Sequence, residues 1–193
     1  MLLCFGHACE VPRNRADLDR DQKVGEILSA AVGQLRASGY AGLSVDSVAQ
    51  ELGVARNAIY WYFPSKDELF VQAAARVLAE AWANPPRTTD IERRILWALD
   101  RLSELQPLIL GLQDRARVSE GAAALVEQLQ VNLCDRLRDV LRGHVEDSEL
   151  DLVADSVMTL GQGLLTRGAG PEERARLVRF TLRHVAKVTA RGS

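Results

Sequence analysis

The chain has 193 residues, of which 47% are hydrophobic, and a formal net charge of −2 at pH 7. This length allows one large or two small domains with a substantial buried core. No apolar run approaches the roughly 18 to 20 residues needed to cross a bilayer, and the start, MLLCFGHACEVPRNR, does not have the form of a secretory signal. The three cysteines form no zinc or redox pattern, so we expect a protein of the reducing cytoplasm.

The first twenty residues are predicted to form a disordered arm. Residues 1–20 mix proline, asparagine, arginine and aspartate without periodicity, and the interleaved charges favour a solvated tail over a binding arm. The first helix is predicted from about Gln22 to Ser38, where Gly39 ends it. Its apolar face consists of Val24, Ile27, Leu28, Ala31 and Leu35.

Residues 43–69 read LSVDSVAQELGVARNAIYWYFPSKDEL, which has the layout of two short helices joined by a tight turn. Ser44 can N-cap the first helix, and Gly53 follows at the turn, where a positive φ is required. The second helix is predicted from about Ala55 to Phe63, with Ile59 and Phe63 turned inward. This arrangement predicts a helix-turn-helix, a motif whose second helix enters the major groove of DNA.

The outer face of that second helix is unusual for a helix exposed to solvent. It presents an arginine, an asparagine and three consecutive aromatic residues, Tyr60, Trp61 and Tyr62, and no carboxylate lies between Gly53 and Lys66. The alternative interpretation is that the rings belong to the hydrophobic core. Successive helical residues point about 100° apart, so at least one ring must face solvent or a ligand. Hydroxyl, amide, indole and guanidinium groups suit base edges and phosphates, which favours DNA binding.

Bulk charge contributes little to this prediction. Residues 1–70 carry a formal net charge of −2, whereas residues 53–66 carry +2 without any acidic side chain. A protein that binds DNA nonspecifically through charge would be far more basic. We therefore expect affinity to depend on paired heads and well-placed contacts, with weak nonspecific binding at moderate salt.

Residues 22–75 resemble the N-terminal domain of the tetracycline-repressor (TetR) family of bacterial transcriptional regulators. The resemblance rests on the lead-in QKVGEILSAAVGQLRASGYAGLSV, the turn ELGVARNAIYWYF and the segment PSKDEL. It implies that the second helix of the motif lies in the major groove and that Lys66 holds a phosphate. The residues it assigns to DNA binding are Ser44, Arg56, Asn57, Ala58, Tyr60, Trp61, Tyr62 and Lys66. Ala58 departs from the Thr or Ser often found there, which removes a hydroxyl that could contact a base.

Two later helices are predicted from capping boxes. Ser65 with Glu68 opens a helix that continues to about Trp82, and this helix links the N-terminal part of the chain to the rest. Thr89 with Glu92 is predicted to open the next helix, which runs to about residue 104.

The rest of the chain is also predicted to be helical. Pro107 is predicted to interrupt the apolar run LILGL, and further helices are predicted at about 120–142, 149–166 and 172–190. No segment alternates convincingly as a strand. The predicted fold class is all-α, with a three-helix head that carries the helix-turn-helix, residues 21–66, and a six-helix body, residues 67–193.

The last two predicted helices carry more apolar surface than one packed face requires. Two such helices from each subunit could close into a four-helix bundle about a two-fold axis, in agreement with the homodimer that the resemblance implies. The alternative is one fully buried helix pair in a monomer. The predicted interface residues are Leu152, Val157, Leu160, Leu164, Val178, Phe180, Leu182 and Val185.

The resemblance also implies a pocket in the body for a small apolar or amphipathic inducer, whose binding changes the separation of the two heads. The predicted lining residues are Trp82, Trp97, Leu105, Leu108, Leu112, Gln113, Leu133, Cys134, Met158 and Gln162. Apolar periodicity does not separate a cavity wall from packed core, so we expect about one in three of them to touch a cavity.

No catalytic, metal or cofactor site is predicted. The three histidines lack metal-ligand spacing, and neither a glycine-rich phosphate loop nor a nucleophile elbow is present. The sequence therefore favours a homodimeric, ligand-responsive transcriptional regulator, a repressor, that binds an inverted-repeat operator in double-stranded DNA. Two alternatives stay open: a DNA-bound adaptor without a small-molecule inducer, and an all-α enzyme or interaction module in which the helix-turn-helix is only scaffold.

Overall fold

The computed structural model describes the backbone of residues 15–189 and the side chains of residues 19–184. Within this part of the chain the fold is all-α, as predicted, with nine helices and no strand. The helices are α1 (Arg15–Gly42), α2 (Val45–Glu51), α3 (Arg56–Tyr62), α4 (Lys66–Ala81), α5 (Ile91–Glu104), α6 (Gln106–Arg115), α7 (Glu120–Leu141), α8 (Leu150–Thr166) and α9 (Pro171–Thr189).

The helix-turn-helix forms through the local interactions that its sequence predicts. The Ser44 hydroxyl accepts a hydrogen bond from the Ser47 amide at 3.3 Å and caps α2. Gly53 has a φ of 65°, which allows the tight turn into α3. The Ser65 hydroxyl accepts from the Glu68 amide at 3.0 Å and caps α4.

The first helix begins earlier than predicted. It starts at Arg15 instead of Gln22, so residues 15–20 belong to a helix and their assignment to a disordered arm is wrong. No proline or glycine occurs between Arg15 and Gly25, and aspartates near a helix N-terminus interact favourably with its dipole. Gly39, with a φ of 63°, marks a kink in α1 before it ends at Gly42. The rest of the predicted arm, residues 1–14, lies outside the described residues.

Two further boundaries differ from the predictions. Asp90, and not Thr89, caps α5, because its carboxylate accepts a hydrogen bond from the Arg93 amide at 3.2 Å. Pro107 does not interrupt α6 but lies in its first turn, where a missing amide hydrogen has no cost because no intrahelical acceptor faces it.

The core has two parts. The first is built from α1 to α4 and extends to the buried Leu112 of α6 and Ala122 of α7. The second joins α5, α7, α8 and α9 around residues such as Leu99, Leu141 and Leu164. Because α4 carries Leu69 and Phe70 into the first core and α6 and α7 cover it, the head and body are packed against each other. No helix in the described part of the chain is long and apolar enough to cross a membrane.

Candidate DNA-binding face and ligand cavity

Helix α3 is anchored by two buried apolar side chains. Ile59 lies inside the helix and Phe63 directly after it, and both belong to the first core. The Trp61 side chain is 87% exposed, whereas Tyr60 and Tyr62 are half-buried against the same core. The expectation that the three consecutive rings could not all be buried is therefore confirmed, and Trp61 faces solvent on a helix that follows a tight turn.

Arg56 is held in place at the start of α3. Its guanidinium donates to the Asp46 carboxylate at 3.0 Å and to the Tyr60 hydroxyl at 3.1 Å. The hydrogen bond to Tyr60, followed by the charge of Asp46, raises the pKa of Arg56 above its ordinary value, so the side chain keeps its charge. Arg56 is thus presented in a fixed orientation, and a phosphate or base must compete with Asp46 for it.

The other predicted DNA-binding residues occupy different depths around α3. Asn57 is exposed, whereas Ala58 is half-buried. Ser44 is half-buried, and its hydroxyl oxygen accepts the hydrogen bond that caps α2. The hydroxyl hydrogen can still be donated to a phosphate. The structure therefore places Arg56, Asn57 and Trp61 on one helix with exposed side chains, and Ser44 at the start of the preceding helix.

Lys66 belongs to a group of charged and aromatic side chains that the sequence analysis did not find. Its ammonium lies 4.4 Å from the centroid of the Tyr40 ring, and the Arg115 guanidinium carbon lies 5.1 Å from the same centroid. The Tyr40 hydroxyl donates to one oxygen of Asp67 at 2.7 Å, and Arg115 donates to the other. We name Tyr40, Lys66, Asp67 and Arg115 the Tyr40 cluster.

The Tyr40 cluster connects α1, the start of α4 and the end of α6. Burial alone would raise the pKa of the Asp67 carboxyl, but the hydrogen bonds from Arg115 and Tyr40 outweigh it and hold the pKa below its ordinary value. Burial, followed by the hydrogen bond to Asp67, raises the pKa of Tyr40. Asp67 is therefore a carboxylate and Tyr40 a neutral donor at neutral pH, so Lys66 is positioned beside a stable ion pair.

A cavity of about 400 Å³ lies among α4 to α9, with the end of α4 on its wall. The predicted lining residues that border it are Trp82, Trp97, Leu112, Gln113, Leu133, Met158 and Gln162. The prediction is wrong for Leu105 and Leu108, which pack against the first core, and for Cys134, which is outside the cavity wall. The fraction on the wall exceeds the one in three that we expected, because a single cavity runs through much of the second core.

Beside the two predicted glutamines, the cavity wall holds further polar residues that the sequence analysis did not find. Arg94 on α5 and Arg136 on α7 border it, as do Gln106 and Gln130. Gln106 donates its side-chain amide to the Leu165 carbonyl at 3.2 Å and so links α6 to α8. No sequence motif distinguishes these residues from the solvated face of an amphipathic helix, so no local signal could have found them.

The structure divides the predicted dimer-interface residues into two groups. Leu152 on α8 and Phe180 on α9 are 71% and 59% exposed, while Leu160 and Leu182 are half-buried. Val157, Leu164 and Val178 are buried in the chain's own second core, which corrects their assignment to a surface. The side chain of Val185 lies outside the described residues. These three side chains are buried because α5 and α7 of the same chain pack against the apolar faces of α8 and α9.

Comparison with known proteins gives a consistent result. Residues 27–73 match the family described as bacterial regulatory proteins, tetR family. The chain is 35% identical over 117 residues to the HTH-type transcriptional repressor KstR of Rhodococcus jostii (strain RHA1), an alignment that covers 58% of this chain and 55% of that protein. It is 27% identical over 165 residues to the HTH-type transcriptional regulator AcrR of Shigella flexneri, covering 74% and 72%. The chain thus spans about half the length of the first of these relatives.

The fold is also similar to that of solved structures described as transcriptional regulators. A solved structure from Saccharomonospora viridis, described as a transcriptional regulator in complex with choline, superimposes with a TM-score of 0.63 at 18% identity and covers 85% of this chain and 97% of its own. The matched family consists of DNA-binding regulators, which contradicts the alternative of an all-α enzyme. The match of residues 27–73 and the curated relatives both support a TetR-family transcriptional regulator, and the solved structures share its fold.

Proposed function

We propose that this protein is a ligand-responsive transcriptional repressor that binds an inverted-repeat operator as a homodimer and releases it when a small molecule occupies the cavity. The observation that carries the proposal is the course of α4. This helix begins at Lys66, shortly after α3 in the chain, and its C-cap is Trp82, on the cavity wall. At 1.5 Å per residue its 16 residues span about 24 Å, so one rigid element joins the two sites.

The DNA-binding half of the proposal rests on the exposed face of α3 and on Lys66. Arg56 and Asn57 offer a guanidinium and an amide, the groups that read guanine and adenine in the major groove. Lys66 lies at the N-terminus of α4, where both the lysine and the helix dipole attract a phosphate. Phosphate contacts set the position of the protein and base contacts set its sequence preference.

The ligand-responsive half rests on the cavity and its neighbours. Its volume falls within the range of small-molecule sites, and its wall is mostly apolar with a few polar groups. The choline complex of the similar regulator supports a small-molecule ligand in this fold. A ligand that displaces Trp82 moves the end of α4, and the movement reaches Lys66 because the helix is continuous.

The proposed dimer rests on α8 and α9. Leu152 and Phe180 are large apolar side chains that the chain itself leaves exposed on these two helices. Pairing of α8 and α9 with their copies in a second chain would cover both in a four-helix bundle. A two-fold dimer then presents two copies of α3 to two half-sites, in the cytoplasm where bacterial DNA lies.

Nuclease protection of the DNA that flanks the protein's own gene tests this proposal. We expect saturable, salt-sensitive protection of two related half-sites one helical turn apart, or a multiple of that distance. Asn57→Ala should reduce binding, whereas Asn132→Ala, an exposed change on α7, should leave it unchanged. Protection of a single site without two-fold symmetry would contradict the dimeric operator. Binding that no small molecule weakens would support the adaptor alternative.

A further inference from the structure

The cavity carries more positive than negative charge. Arg94 and Arg136 border it, and within the described residues neither guanidinium forms an ion pair with a carboxylate. Asp139 is the one acidic side chain among the described lining residues, and it pairs with Arg142 at 2.9 Å. Arg94 is half-buried as a residue and has no ion-pair partner. Arg136 is exposed, so the gain from neutralisation should be larger at Arg94 than at an open surface, while Arg136 adds a second unpaired positive charge to the wall.

The aromatic side chains of the cavity do not form a site for a cation. Trp82 and Trp97 pack edge to face with their ring centroids 5.2 Å apart. The guanidinium carbon of Arg136 lies 5.8 Å from the Trp82 centroid, so a cation of the protein already occupies this ring. A quaternary ammonium ligand would have to displace Arg136 or approach it against charge repulsion.

We propose that the cavity binds an amphipathic anion, with a hydrocarbon body against the apolar wall and a carboxylate or similar anionic group bound by the cavity arginines. This inference rests on the proposed ligand-responsive function and specifies the chemistry of its ligand. At roughly 30 Å³ per heavy atom, about 400 Å³ accommodates on the order of 13 heavy atoms. Decanoate matches this size, and it places one charge at the end of a flexible apolar chain.

Three probes of equal chain length separate charge from hydrophobicity: decanoate, decanol and decyltrimethylammonium. Isothermal titration calorimetry on the full chain at neutral pH measures the affinity of each probe. We expect decanoate to bind about tenfold or more tightly than either of the others, because one charge-assisted hydrogen bond corresponds to about this factor. Decanol or decyltrimethylammonium binding as tightly as decanoate would overturn the inference, and so would a failure of all three to bind.

Arginine variants test whether the cavity charge causes the preference. Arg94→Gln and Arg136→Gln should each weaken decanoate binding about tenfold and change decanol binding less than twofold. Arg93→Gln is the matched control, because Arg93 is adjacent on α5, exposed and outside the cavity wall. Arg136→Glu should reverse the preference toward decyltrimethylammonium, a result that a general loss of folding cannot produce. Equal effects of Arg93→Gln and Arg94→Gln on decanoate binding would refute the role of the cavity arginines.

Operator release separates this inference from the function on which it rests. The same probes are added to the protein bound to its operator, and release is followed by fluorescence anisotropy of labelled DNA. Release by decanoate alone supports both proposals. Release by decanol or decyltrimethylammonium, but not by decanoate, would leave the ligand-responsive repressor in place and overturn the anionic ligand class.

Discussion

The Tyr40 cluster makes a quantitative prediction about stability. Asp67→Asn removes the carboxylate that accepts hydrogen bonds from Tyr40 and Arg115 across three helices. The side chains of Asp67 and Arg115 are only 24% and 26% exposed, so solvent screens this ion pair less than a surface pair. We expect a loss of about 2 kcal/mol in the free energy of unfolding, the middle of the range for hydrogen bonds to charged groups.

Thermal unfolding followed by circular dichroism measures this loss. A change of about 2 kcal/mol corresponds to a fall in Tm of roughly 4 to 8 °C for a chain of this size. Asp135→Asn is the matched control: it removes an aspartate that pairs with Arg138 on the same helix but is 64% exposed. The control should change the free energy of unfolding by less than about 0.5 kcal/mol.

The stabilisation by the Asp67 carboxylate should depend on pH. The hydrogen bonds hold the pKa of Asp67 in the folded protein below its ordinary value of 3.8. A carboxyl with a depressed folded-state pKa stabilises the fold fully above its unfolded-state pKa, and this stabilisation is lost as the pH falls through the folded-state value. The difference between the wild type and Asp67→Asn should therefore be constant near neutral pH and disappear in acid.

A double-mutant cycle with Arg115→Gln shows whether the two side chains act together. The coupling energy between Asp67→Asn and Arg115→Gln should be about 1 to 2 kcal/mol, within the range for residues in one hydrogen-bonded network. Additive effects of the two substitutions would refute the ion pair. A fall in Tm after Asp67→Asn no larger than after Asp135→Asn would refute the estimate itself.

Three further predictions concern DNA, the dimer and the switch. Lys66→Ala should weaken binding to all DNA sequences and lower by about 1 the slope of log K against log salt concentration. Arg56→Ala should cost about 1 to 3 kcal/mol of binding free energy at one base position. A wild-type salt slope and sequence profile in both variants would contradict these assignments. Phe180→Arg, at an exposed position, should give a folded monomer in sedimentation, whereas a wild type that is monomeric at micromolar concentration would exclude the dimer. Operator DNA should weaken ligand affinity by the same factor, about 5 to 150-fold, by which ligand weakens operator affinity, and equal ligand affinities with and without operator would show no coupling.

The helix-turn-helix could be predicted from its amino-acid sequence. Ser44, Gly53 and Ser65 act on backbone groups within a few residues of themselves, so their roles follow from spacing alone. The inward positions of Ile59 and Phe63 follow in the same way from the helical period. The cap of α5 was predicted one residue too early: Asp90, and not Thr89, caps this helix. Adjacent residues that can both cap a helix differ little in capping free energy, so sequence does not separate them.

The contacts between helices could not be predicted in this way, because they depend on how distant segments of the chain pack together. Tyr40, Asp67 and Arg115 are far apart in the sequence, and nothing in their local patterns indicates that packing of α1, α4 and α6 brings them together. The burial of Val178, and the place of Arg94 on a cavity wall, have the same origin. Periodicity shows that a helix has an apolar stripe, but the neighbouring helices determine whether that stripe faces a core, a cavity or a second chain.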